Sequence, residues 1–280
     1  MNRRDFLGTM TAAALASRFS WAADDHRIKK IGLELYTVRG ALAQDFDGTL
    51  ARVAKIGYKE VEFAGMFANP PAATPAPEHA LEILKANGLT APSTHVPYTA
   101  LSPENWPKII EACKIVGNEY IVNPSIDQKL TKTADGWKQA ADIFNRAGEE
   151  SLKSGIQFAY HNHIPEFKAV DGQLPYDILL SECDPKFVKM EMDLGWAHVA
   201  GADPLAYFAK YPGRFPLVHV KDFDKDGKMT EVGSGVIDWK AIFAKSDLAG
   251  IKHYFVEQDV SKSPFDSIQI SYAYVEKLRF

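Results

Sequence analysis

The sequence predicts a single α/β domain folded as a (β/α)8 barrel, and three observations carry that prediction. Strand-like and helix-like stretches alternate strictly from residue 28 onward, as eight units spaced roughly 25 to 35 residues apart. Helix candidates stop at Gly57, Gly88, Gly117 and Gly155, each just before the next strand. The competing open, doubly wound sheet lacks the Gly-x-Gly-x-x-Gly that usually follows its first strand. At 280 residues and 46% apolar composition, the chain can bury one large core.

Each element has its own signal. Lys30–Leu35 reads as the first strand, and Phe46–Ile56 as a helix closed by Gly57. Tyr58–Phe63, Ala91–Val96 and Tyr120–Asn123 are the next strands; Glu78–Asn87 and Trp106–Val116 are the helices between them. Thr133–Ser154 is a long helix ending at Gly155. In the fifth strand, Ile156, Phe158 and Tyr160 alternate against Gln157, Ala159 and His161. Then follow Pro175–Ser181 as helix, Val188–Asp193 as strand, Pro204–Tyr211 as helix and Phe215–Val220 as strand. Asp238–Ser246, His253–Val256 and Pro264–Lys277 complete the alternation. Two longer loops, Phe67–Pro77 and Asp222–Val236, are each suited either to cover the barrel mouth or to lie inert on the surface.

The N-terminus reads differently. Arg3-Arg4, the mildly apolar Thr9–Ala16 and the small-residue Ser20-Trp21-Ala22 follow the order of an export signal of the twin-arginine kind. We expect residues 1–23 to be that signal, residues 28–280 to be the barrel, and the location to be periplasmic. The apolar run is too short to span a bilayer. A net charge of −4, with both signs mixed and no basic stripe, argues against nucleic acid and anionic membranes as partners. Cys113 and Cys183 lack metal-type spacing and are expected to be free structural thiols. His198 and His253 have neighbours that suggest only structural roles, and His26 and His79 carry no assignment.

Function in such a barrel gathers at the carboxyl ends of the strands. Here those ends are ionisable on nearly every strand: Glu34 and Tyr36, Glu62, His95, His161 and His163 with Glu166, Glu191 and Asp193, His219 and Lys221, Glu257 and Asp259. Spacing by two puts the members of a pair on one face. One such residue would mean little, but a whole charged layer is prohibitive unless its members pair or bind a cation. His161, Asp193, His219 and Glu257 come from four successive strands. They form a nitrogen and oxygen donor set suited to one divalent ion, manganese, zinc or cobalt before magnesium. Without an ion, the same residues would form a hydrogen-bonded ion-pair network.

A family resemblance rests on ordered motifs: LELYTVR at Leu33–Arg39, Thr94-His95-Val96-Pro97, YHNH at Tyr160–His163 and MDLG at Met192–Gly195. HVKD at His219–Asp222, GSGVIDW at Gly233–Trp239 and VEQD at Val256–Asp259 continue it. From about Lys30 to the C-terminus the chain resembles the xylose isomerase-like barrels, the sugar phosphate isomerase/epimerase superfamily. The resemblance implies metal ligation by Glu, Asp, His and Glu from the last four strands, which fall on His161, Asp193, His219 and Glu257. The first of these departs from the pattern. Where epimerases of the family use two metal-bound glutamates as bases on opposite faces of the substrate, His161 keeps a ligand and removes half the pair. The Tyr-His-x-His and Glu-Gln-Asp strings look more like the inosose dehydratase branch, which eliminates water beside a ketone. Trp196 stands where the family commonly continues Asp-x-Gly-His, and offers an apolar face for a sugar ring or for plain packing.

These readings give a lead expectation and two rivals. The lead is a metal-dependent isomerase or epimerase of unphosphorylated keto-sugars or cyclitols, in which the metal stabilises an enediolate. The rivals are a lyase of the same fold, a dehydratase or 3-keto-glycoside eliminase, and a non-catalytic sugar-binding barrel. His163 and Glu257 are the candidate bases. Lys221 is the candidate donor to the developing oxyanion, unless it pairs with Asp222 or Glu191. Glu34, Tyr36, Glu62, His95, Glu166, Trp196 and Asp259 are expected to hold substrate. Arg39 is the only strand-end arginine and follows the first strand, away from the usual barrel phosphate site, so a free sugar, cyclitol or keto-glycoside is expected.

Overall fold

A computed structural model describes residues 26–65 and 75–280. The expected export signal and most of the loop Phe67–Pro77 lie outside the described residues. Eight parallel strands close a barrel: β1 (Gly32–Glu34), β2 (Glu60–Ala64), β3 (Thr90–His95), β4 (Tyr120–Asn123), β5 (Gln157–His161), β6 (Val188–Asp193), β7 (Leu217–Val220) and, after two short strands, β10 (His253–Val256). Sequential pairing runs from β1 round to β7, and β10 closes the ring between β7 and β1. β8 (Asp222–Phe223) and β9 (Met229–Thr230) form a small antiparallel hairpin in the loop after β7.

The element boundaries follow local chemistry. Asp45 caps the helix Phe46–Ile56 by accepting from the Gly48 amide, and Thr133 caps Ala134–Leu152 by accepting from Gly136. Gly117 ends Trp106–Val116 in the left-handed region, φ 87°, where a side chain would be strained. Two elements depart from the sequence-based expectation. Leu194–Val199 forms a helix directly after β6, capped by Asp193. The stretch expected as the single helix Asp238–Ser246 splits into Trp239–Phe243 and Ser246–Ala249.

The β5 alternation divides two environments. Outward residues Phe158 and Tyr160 stack on Phe144 of the long helix, with centroids 5.5 and 5.2 Å apart. They belong to one continuous core between sheet and helices, where each fully buried large apolar side chain contributes on the order of 1.5–3 kcal/mol. Inward residues make a second, smaller cluster of Tyr120, Val122, Ala159, Leu217 and Phe255. Tyr120 on β4 meets His253 on β10 at 5.7 Å, a contact between non-neighbouring strands that spans the barrel. This apolar plug separates two polar ends. Cys113 and Cys183 are free and buried, as expected, and burial pushes both thiols up, Cys183 to about 12.

Candidate active site

The carboxyl ends of the strands open into a cavity of about 640 Å³, lined by Glu34, Tyr36, His95, His161, His163, Trp196, Glu257 and Asp259 among others. Several of these lie beyond regular strand: His163 follows β5, and Glu257 and Asp259 follow β10; Lys221, buried beneath the cavity wall, likewise follows β7. Strict alternation does not place them. Their loops turn inward over the barrel instead.

Two layers of ionisable groups lie on the apolar plug. In the deeper one, Glu191 Oε2 is 2.7 Å from His95 Nε2, 3.0 Å from His161 Nδ1 and 3.3 Å from His219 Nε2. Glu62 Oε2 lies 2.6 Å from His219 Nε2 and 3.3 Å from His95 Nε2. Glu62 and Glu191 are fully buried. Burial disfavours a charge on His219, but Glu191 and Glu257 outweigh it and hold the imidazole well above its ordinary value. His95 moves the same way, with Glu62 and Glu191 overcoming its burial. His161 goes down, because burial and the neighbouring His219 both oppose its charge.

In the upper layer, Lys221 is 1% exposed and lies 3.0 Å from Asp193 Oδ2, 2.9 Å from Glu257 Oε2 and 3.0 Å from Asp259 Oδ1. Its ammonium also sits 4.9 Å over the Trp196 ring. Burial opposes the charge on Lys221, but the three carboxylates hold its pKa above the ordinary lysine value. Burial and Glu257 push Asp259 up to about 7. Burial also lowers His163, whose ring nitrogens make no hydrogen bond with a described residue while its backbone amide donates to Glu166.

The donor chemistry fits one divalent ion. Donor atoms of Asp193, His219 and Glu257 lie within 4.8 Å of one another, and His161 Nε2 is 3.8 Å from Asp193 Oδ2. Asp193 Oδ2 is buried with no hydrogen-bond partner besides its ion pair to Lys221. Three of the four expected ligands share one donor cluster. The fourth, His161, falls in a second cluster with His95 and Glu191, and His219 is common to both. Glu191 lies outside the expected ligand set, although its spacing of two from Asp193 already puts both on one inward face.

Two expected placements need correction. Glu166 does not line the cavity, because its oxygens accept from the Tyr160 hydroxyl (2.6 Å) and the His163 amide (2.8 Å) and brace the turn holding His163. Glu62 is likewise absent from the cavity wall: it lies beneath His219 and His95, completely buried. Lys221 pairs with neither Asp222 nor Glu191. Asp222 instead accepts from the amides of Phe223, Gly233, Gly235 and Ile237 and from Trp239 Nε1, folding the β8–β9 hairpin. That hairpin brings Met229 Sδ to 3.1 Å from the Asp259 amide, so the loop packs beside the cavity rather than lying free.

Residues 50–262 match the sequence signature of the xylose isomerase-like TIM barrels. The chain belongs to this family. An inosose dehydratase from Geobacillus thermodenitrificans is 31% identical over 165 residues, 51% of this chain and 55% of that protein. The corresponding enzyme of Lacticaseibacillus casei is 29% identical over 162 residues, 50% and 54% of the two chains. The alignments thus span about half the length of these curated relatives. A crystal structure described as a sugar phosphate isomerase/epimerase from Parabacteroides distasonis superposes with TM-score 0.76 and 31% identity, covering 90% of this chain and 94% of that one. The IolI protein, solved with a bound zinc atom, shares the fold at TM-score 0.70 and 16% identity, covering 90% and 99%.

Proposed function

We propose that this barrel is a lyase that eliminates water or an alcohol β to the ketone of an unphosphorylated keto-sugar, cyclitol or keto-glycoside. The observation that carries this reading is an unsymmetrical set of acid and base groups. The fifth strand supplies His161, whose Nδ1 is turned onto Glu191, and leaves the His163 ring free of hydrogen bonds with described residues. Two strands round the barrel stands Lys221, and three strands round its partner Asp259. A two-faced epimerisation needs two equivalent bases. An elimination needs one base for the proton α to the ketone and one acid for the departing oxygen.

In this reading His163 removes the α proton, and Lys221 steadies the negative charge that develops on the carbonyl oxygen. Asp259 is the proton donor to the leaving oxygen. Glu34, Tyr36, His95 and Trp196 orient the ring. Asp193, His219, Glu257 and His161 would hold a divalent ion, manganese, zinc or cobalt before magnesium; when bound, it would polarise the substrate carbonyl as a Lewis acid. The dehydratase relatives support the lyase reading, and the zinc of IolI supports a metal in this fold.

The described residues lining the cavity include no lysine or arginine, residues 66–74 contain none either, and the buried Lys221 is already offset by Asp193, Glu257 and Asp259. Arg39 is taken up by the carbonyls of Tyr36 and Asp259. This supports a neutral sugar over a sugar phosphate. The second reading, an isomerase or epimerase, is favoured by the Parabacteroides distasonis neighbour. Proton NMR in D2O on a panel of keto-sugars separates the two: loss of water or alcohol supports the lyase, and deuterium uptake at carbon with retained formula overturns it. We also propose periplasmic location from Arg3-Arg4 and the apolar run after it. A reporter fused after residue 30 should be exported, and Arg3→Lys with Arg4→Lys should retain it in the cytoplasm.

A further inference from the structure

We infer that the cavity has a second lobe that seats the leaving group, and that this leaving group is a flat, aromatic aglycone. The inference rests on the lyase reading and names its substrate class. A second cavity of about 440 Å³ adjoins the first, and Pro124 and His163 form walls of both. His163, the proposed base, thus stands at the junction. A glycoside whose keto-sugar ring fills the first lobe would carry its glycosidic bond past this imidazole, with the aglycone continuing into the second. A free cyclitol would leave that lobe empty.

The wall chemistry selects the occupant. Pro124, Ile126 and Pro165 present flat apolar surface, and prolines offer no amide donor. Gln128, Thr131 and Lys132 contribute polar side chains to the same lobe. An aryl group would bury its faces against this flat surface, and polar substituents on its edge would meet Gln128, Thr131 and Lys132. The floor is rigid, since Tyr160 and Glu166 are locked together at 2.6 Å. The elimination balances without a co-reactant. The C2–H bond breaks and its proton goes to His163. The freed electron pair forms the C1–C2 double bond, the C1–O bond breaks, and the aglycone leaves as its alcohol after taking a proton from Asp259.

The test compares 4-nitrophenyl and methyl 3-keto-glucosides on the wild type, on Ile126→Trp, which fills the lobe, and on Thr131→Arg, which intrudes into it. Nitrophenolate leaves more readily than methoxide on any enzyme, so the decisive number is the change in the aryl-to-methyl ratio of kcat/KM. A drop of tenfold or more in either variant supports the lobe; an unchanged ratio in both overturns it. If the wild type eliminates neither substrate, the lyase reading fails separately. Calorimetry with 4-nitrophenyl and methyl β-glucoside then decides the lobe: tighter aryl binding lost in Ile126→Trp supports it, and equal affinities overturn it.

Discussion

The two ends of the barrel interior use the same side chains differently. At the amino end, His253 Nδ1 meets Glu60 Oε2 at 2.8 Å, and Lys30 reaches Glu60 at 3.6 Å. Above the plug of Tyr120, Val122, Ala159, Leu217 and Phe255, the carboxyl end gathers His95, His161 and His219 around Glu62 and Glu191, with Lys221 among three carboxylates. One histidine with one carboxylate leaves over a single ring nitrogen, His253 Nε2, which lies 3.9 Å from Glu119 and away from the cavity. Several histidines sharing carboxylates leave donor atoms over, among them Glu62 Oε1, Glu191 Oε1 and Asp193 Oδ2. A buried ion pair is therefore not a sign of function, but a surplus of buried donors aimed at a cavity is.

The comparison breaks most sharply at Lys221. Lys221→Met should lower turnover by roughly 10²–10⁴-fold and cost about 3–5 kcal/mol, because Asp193, Glu257 and Asp259 would remain as buried like charges. Steady-state rates and denaturant melts measure both, and an active, stable variant would remove Lys221 from the mechanism. His163→Gln should lose a comparable factor in rate, about 10²–10⁴. Its melting temperature should barely move, since the ring makes no hydrogen bond with a described residue. At the amino end the pattern inverts. His253→Ala should cost about 1–3 kcal/mol by stranding Glu60, with kcat/KM unchanged.

Chelation sharpens the contrast. Treatment with EDTA should abolish turnover while circular dichroism stays native, because Lys221 and His219 already offset the carboxylates; unfolding on chelation would mean that the ion is structural. The smallest effect belongs to the hairpin. The Ser267 hydroxyl, foremost, holds Glu231 below the usual glutamate range. That stabilisation is present above the ordinary pKa and disappears as pH falls through the lowered one. Proteolytic nicking of the loop 222–236 should therefore rise at acid pH in the wild type and be pH-independent in Glu231→Gln.

Much of this was legible in the chain. Trp106–Val116, Tyr120–Asn123, Val188–Asp193, His253–Val256 and Pro264–Lys277 form as read, because apolar periodicity and terminal glycines or prolines are local properties. Asp193, His219 and Glu257 were visible as donors from successive strands. Glu166 and Glu62 were misplaced because sequence shows a carboxyl group but not which neighbour claims its oxygens. Glu191 was undervalued for the same reason: its importance lies in three histidines contributed by three other strands.

The sequence by itself determined the alternation of strands and helices, and with it the end of the barrel at which polar residues would collect. Only the tertiary structure decided how they are shared: Lys221 over three carboxylates, Glu191 under three imidazoles, Asp222 spent on the hairpin. The reason is physical. Helix and strand periods are set within a few residues of chain, whereas the cost of a buried charge depends on groups up to 157 positions away, the separation of Glu62 and His219.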